Sequence, residues 1–124
     1  MGVLARTVEH MACRPGDVVA WLGPAIGPGA FEVGPEVRAV FLERLPGAAC
    51  AFAPGQGDRL FADIYRLARL SLAGAGVQAV YGGGLCTVRQ SGLFHSYRRD
   101  GRCGRMASLV WLKGGAAAEA AYQG

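Results

Sequence analysis

Four arginines fall within eight residues near the C-terminus, in Ser96-Tyr97-Arg98-Arg99-Asp100-Gly101-Arg102-Cys103-Gly104-Arg105-Met106-Ala107-Ser108. A guanidinium presents a fixed fork of N–H donors, which suits bidentate bonds to phosphate or carboxylate. Arg98, Arg99 and Arg105 stand beside apolar Tyr97 and Met106 and are candidates for a pocket wall. The competing reading is a solvated turn with Asp100-Gly101 at its tip, the reading that suits Arg102. The second chemical feature is Gly82-Gly83-Gly84, which follows the alternating segment Val77–Tyr81. Without side chains, the backbone there can approach a ligand and offer amides to an anion; it can equally serve a tight crossing of two chain segments. The run matches neither a Walker A loop nor a GxGxxG fingerprint. Cys86, just beyond, is a nucleophile or a pocket-lining thiol if a base or cation forms its thiolate, and otherwise an inert buried residue.

Metal chemistry finds little footing. Cys13, Cys50, Cys86 and Cys103 form no CxxC pair, and His10 and His95 share no ligand spacing with them, which excludes zinc-finger and thioredoxin patterns. No metal is expected in this chain alone. Asp63 stands where a helix cap is needed, a simpler role than catalytic acid.

Charge is unevenly placed: residues 1–62 carry net −1 and residues 63–124 net +5, which together give the formal +4. A basic second half suits an anionic ligand or partner. Nucleic acid is not expected, because no recognised binding module or interleaving of aromatic and basic residues accompanies the arginines. At 124 residues, 52% hydrophobic and 18% charged, the chain reads as one folded domain with a core rather than a disordered segment. Its apolar runs are far shorter than a membrane span, and Arg6, Glu9 and His10 interrupt any signal-like start. A cytoplasmic location without disulfides is the expectation.

The elements that would position these residues follow from periodicity. Val3, Leu4, Thr7, Val8 and Met11 share a face of a helix over residues 3–12, ended by Arg14-Pro15-Gly16-Asp17. Val18–Leu22 reads as a short buried strand. Pro35 and Glu36 open a second helix with Val37, Val40 and Phe41 as its buried stripe, and residues 46–58 read as a loop. Asp63 caps a third helix carrying Ile64, Leu67, Ala68 and Leu72, closed by Gly74 or Gly76. Val77–Tyr81 and Met106–Leu112 read as strands. Helices alternating with short apolar strands indicate a layered α/β or α+β fold.

Several segments, in the same order, resemble the YfiH-type family. They are Leu22-Gly23-Pro24-Ala25-Ile26-Gly27-Pro28 with Phe31-Glu32-Val33-Gly34, Ala62-Asp63-Ile64, Gly83-Gly84-Leu85-Cys86-Thr87, and the arginine segment with Gly104-Arg105-Met106-Ala107-Ser108. The family goes by the names polyphenol oxidase, laccase-domain protein, peptidoglycan editing factor and purine nucleoside phosphorylase. The resemblance covers the C-terminal half of its domain, and His95 and Cys103 depart from its usual residues. It implies an α/β sandwich present as a partial domain over residues 1–114, with an alanine-rich tail over 115–124 expected to fray. It implies cleavage of purine nucleosides with phosphate; adenosine deamination and phenol oxidation with copper are also attached to the family. Residue by residue, it assigns Arg98, Arg99 and Arg105 to phosphate or to holding the loop, and Gly83, Gly84 and Cys86 to the pocket lining. The family's zinc or copper site uses two histidines and a cysteine upstream of the matched region, the second histidine in a His-Ala-Gly-Trp-Arg segment, so no ligand carries over.

Two functional classes remain open at this level. One is a truncated purine nucleoside phosphorylase, with purine nucleoside and phosphate as substrates. The other is a non-catalytic remnant or anion-binding module that keeps the arginine-lined wall. Truncation should leave apolar surface near Val18–Leu22 and Leu109–Leu112, favouring a homo-oligomer or pairing with the missing N-terminal half.

Overall fold

In a computed structural model that describes residues 2–113, the chain opens with helix α1 (Val3–His10) and a 3-10 turn at Pro15–Asp17, then enters strand β1 (Val19–Leu22). Strand β2 (Glu32–Val33) leads into helix α2 (Pro35–Arg44), followed by a 3-10 turn at Ala48–Ala51 and the short strands β3 (Phe52–Pro54) and β4 (Leu60–Ala62). Helix α3 (Ile64–Gly74), strand β5 (Ala79–Gly82) and the one-turn helix α4 (Tyr97–Asp100) complete the described order. The proposed tail over 115–124 lies outside the described residues.

The architecture is mixed α/β. Strands β1 and β5 pair in parallel, Trp21 opposite Tyr81, and β2-β4-β3 form an antiparallel sheet with Ala53 opposite Phe61. The second sheet corrects the loop expected over residues 46–58. Its strands span two or three residues each, too short for alternation to register in sequence.

Helix α3 is the central support. Asp63 Oδ1 accepts from the Arg66 amide at 3.0 Å, the cap that the sequence suggested. At the other end Val77 N donates to Leu72 O at 2.9 Å and Gly76 N to Ala73 O at 3.0 Å. That pair of bonds is a Schellman motif, so Gly76, at φ 89°, closes the helix rather than Gly74. Leu72 and Val77 join Val8 and Val18 in one buried cluster, while Leu67 joins Ala48 and Ala51 in another.

Several expected burials are not found. Strand β1 turns Ala20 and Leu22 to the core but leaves Val19 68% and Trp21 59% exposed, because nothing among the described residues covers the outer face of the pair. On α1 only Val8 is buried; Val3 is exposed, and so is Met11 just past the helix end. On α2, Phe41 packs on the second cluster while Val40 stays exposed. A groove of about 740 Å³ runs between α1, α2 and α3, lined by residues including Val3, Leu4, Phe41, Leu45 and Leu67. The strand expected over Met106–Leu112 is absent: the segment is irregular, with Leu109, Val110, Trp111 and Leu112 all exposed. A strand needs a partner for its backbone groups, and no described strand pairs with this one.

Candidate functional site

The cap at Asp63 fixes the direction in which the first turn of α3 presents its side chains. Tyr65 goes inward and is 5% exposed, and Arg66 and Arg69 follow on an outer face. The Tyr65 hydroxyl accepts from the Ala25 amide at 2.8 Å and donates to the Leu85 carbonyl at 2.7 Å. One side chain therefore joins the loop after β1 to the loop after β5, and both loops stand over α3.

Gly83 lies against this anchor. Its φ is 96°, and a Cβ there would fall 3.2 Å from the Tyr65 ring and 2.9 Å from Arg69 Nη1. Arg69 Nη2 donates to the Gly82 carbonyl at 2.6 Å. Pro28, Asp63, Tyr65, Arg66, Arg69 and Gly83 line an open cavity of about 230 Å³. Gly84 has open space where a side chain would stand.

Cys86 faces the same loop pair from the other side. The Gly27 amide donates to its Sγ at 3.2 Å, and a Cβ on Gly27 would come within 3.1 Å of that sulfur. Burial pushes the thiol up, but the amides of Arg89, Gly27 and Val88, with the Arg89 charge, outweigh it and leave the thiol below its ordinary value. The Cys86 amide donates to Gln90 Oε1 at 2.7 Å, and Arg89 Nη2 reaches the Gly29 carbonyl at 3.1 Å, so the turn is tied at both ends.

The arginine segment is divided among three environments. Arg99 is turned inward: Nη1 donates to the carbonyls of Thr87 and Val88 at 2.8 and 2.9 Å, and Nη2 to that of Phe94 at 2.9 Å. Its Nε and Nη2 also donate to the Asp100 carboxylate at 3.0 and 2.8 Å, and the guanidinium holds that carboxyl below the usual range. These five bonds engage every N–H of the guanidinium. Arg98 stacks over the Phe31 ring at 5.1 Å and donates to the Glu32 carbonyl at 3.0 Å. Arg105 lines a separate cavity of about 250 Å³ with His95, Tyr97, Cys103, Gly104 and Met106. Arg102 is exposed.

The fold thus does not gather Arg98, Arg99 and Arg105 around one point. The guanidiniums that share a cavity with the glycine loop are Arg66 and Arg69, which the reading of α3 by its apolar face alone passed over. Their i,i+3 spacing was the available signal.

Across residues 1–113 the chain matches the family described as multi-copper polyphenol oxidoreductase laccase. The chain belongs to that family. A purine nucleoside phosphorylase of Pseudomonas aeruginosa is 52% identical over 113 residues, which are 90% of this chain and 47% of the relative. The Escherichia coli purine nucleoside phosphorylase YfiH is 52% identical over 111 residues, 90% of this chain and 45% of that protein. A crystal structure of a Neisseria meningitidis protein of the DUF152 family superposes with a TM-score of 0.87 at 50% identity, covering 91% of this chain and 47% of that one. The chain spans about half the length of the curated relatives it matches.

The family description implies a metal. Among the described residues no group of three or more His, Cys, Asp and Glu side chains could hold one. The Cys86 sulfur is turned to the Gly27 amide rather than to a second donor. By themselves these residues do not fit zinc or copper. No helix among the described residues is long and apolar enough to cross a membrane.

Proposed function

We propose that this chain is the C-terminal part of a purine nucleoside phosphorylase acting on adenosine or inosine. In that reaction a phosphate oxygen forms a bond to C1′ of the ribose. The bond from C1′ to the purine nitrogen breaks, its electron pair leaves with the base, and a proton goes to the base. The products are the free purine and ribose 1-phosphate.

The observation that carries the reading is the likeness to purine nucleoside phosphorylases at 52% identity over 90% of this chain. In this reading Gly83, Gly84 and Cys86 line the substrate pocket. Arg98 and Arg105 offer charge to the anionic side of the substrates, while Arg99 serves by holding the loop between Thr87 and Phe94. Any metal would come with residues outside those described.

The test is to fuse the upstream half of the Pseudomonas aeruginosa relative to this chain and follow phosphate-dependent release of adenine from adenosine by chromatography. The fusion is expected to be active and the chain alone inactive. A folded but inactive fusion would overturn the proposal. If that fusion still bound phosphate, the non-catalytic anion-binding module would be the better account.

A further inference from the structure

The cavity between the first turn of α3 and the loop after β5 has a charge that the fold does not neutralise. Arg66 and Arg69 sit one turn apart on α3, where like charges repel. Neither takes part in any ion pair among the described residues, where the pairs are Arg14–Asp17, Arg59–Glu32 and Arg99–Asp100. Asp63 is the acid of the cavity lining, and its Oδ1 is already held by the Arg66 amide as the helix cap. Two guanidiniums against one carboxylate leave the cavity net positive.

Most of the donors also remain for a ligand. Arg69 spends Nη2 on the Gly82 carbonyl at 2.6 Å, a bond that aims the guanidinium at the glycine loop. Arg66 Nη1 reaches the Cys50 carbonyl only at 3.5 Å, the outer limit of a hydrogen bond. Tyr65 contributes its ring to the wall, because its hydroxyl is committed to Ala25 and Leu85. The space kept open by the absent Gly83 side chain is the space beside Arg69 Nη1. At about 230 Å³ the cavity has room for roughly seven waters of ~30 Å³ each, enough for a tetrahedral oxyanion and part of its hydration shell.

We infer that Arg66, Arg69 and the Gly83 loop form an oxyanion site, distinct from the Ser96–Ser108 arginine segment, that takes inorganic phosphate. That the anion is phosphate rests on the phosphorylase reading; that the cavity takes a tetrahedral oxyanion does not. Planar guanidiniums on adjacent turns can each give two parallel N–H bonds to such an anion.

The experiment is a calorimetric titration of the full chain with inorganic phosphate at fixed ionic strength, with chloride and sulfate as comparison anions. Arg66→Gln and Arg69→Gln are each expected to weaken phosphate binding about tenfold or more, the usual effect of losing a charge-assisted bond. Arg69→Lys should recover part of the loss, and Arg102→Gln, at an exposed position, should leave binding within about twofold. Circular dichroism of each variant separates loss of binding from loss of fold. Sulfate competing with phosphate while chloride does not supports the site. Equal displacement by chloride means diffuse charge and overturns it. Binding that survives both α3 substitutions, or that falls as far with Arg102→Gln, also overturns it. Failure of the adenosine assay beside intact, Arg69-dependent phosphate binding would sink the catalytic reading and leave this site standing.

Discussion

The Gly27 amide donates to the sulfur of Cys86 at 3.2 Å, across the two loops that follow the parallel strands. Because that bond and its neighbours favour thiolate over thiol, the folded Cys86 ionises below its ordinary value of 9.0. A depressed acid stabilises the fold above the unfolded value, and the contribution is lost as pH falls through the folded one. The melting temperature of the native chain should therefore gain on that of Cys86→Ser as pH rises toward 9.0. Alkylation by iodoacetamide, followed at Cys86 by mass spectrometry, should reach half its maximal rate at lower pH than for an unstructured cysteine peptide. Coincident profiles would show that the amide contacts do not tune the thiol.

Tyr65 carries the other tie between the same loops. Tyr65→Phe keeps the buried ring but strands the Ala25 amide and the Leu85 carbonyl, each satisfied by the hydroxyl in the native fold. An unsatisfied buried partner costs about 1–3 kcal/mol, and denaturant melts should show a loss in that range. A loss below about 0.5 kcal/mol would mean that water replaces the hydroxyl without strain.

Gly83→Ala tests the backbone beside the cavity. A left-handed φ of 96° resists any side chain, and the added methyl would press on Arg69 Nη1 and the Tyr65 ring. The cost should be about 1–3 kcal/mol of stability in chemical denaturation. Gly84→Ala, with open space at its Cβ position, should cost less. Equal costs would place the constraint in the loop as a whole rather than at Gly83.

Arg99 and Arg102 should behave oppositely despite their closeness in sequence. Removing Arg99 leaves the Thr87, Val88 and Phe94 carbonyls without their donor, so Arg99→Ala should lower the melting temperature by several degrees. Arg99→Lys should recover little, since an ammonium cannot reproduce the planar fork. Arg102→Ala, at an exposed position, should change the melting temperature by less than the scatter between replicates. Equal effects in calorimetry would remove the distinction between clamp and surface charge.

The uncovered outer face of the β1–β5 pair should make the chain associate. Val19, Trp21 and Tyr81 are each more than half exposed, and so are Leu109, Val110, Trp111 and Leu112. Light scattering should report oligomers or aggregates that Trp21→Lys with Tyr81→Lys reduces. Mixing with the upstream half of a relative should suppress association more fully. A monodisperse monomer that melts cooperatively would identify these residues as a self-sufficient domain.

Local chemistry was legible in the sequence wherever one residue decides the outcome. The Asp63 cap, proline and acid at the start of α2, and glycine closure of α3 depend on a few neighbouring atoms, and each is where the residue types place it. The fold class followed from helices alternating with apolar runs, and the family from motifs in fixed order. Tertiary structure decided what periodicity cannot carry. Val19 and Trp21 are apolar yet exposed, because burial depends on whether another element covers the face and not on the residue. Met106–Leu112 has strand composition but no described partner for its backbone. Arg99 was indistinguishable in sequence from Arg98 and Arg105, and only folding brings three carbonyls to its guanidinium. Arg66 and Arg69 were ordinary helix-surface charges until the parallel pairing of β5 with β1 set Gly83 beside them. Electrostatic sites are sums over segments distant in the chain, and those sums exist only once the loops have met.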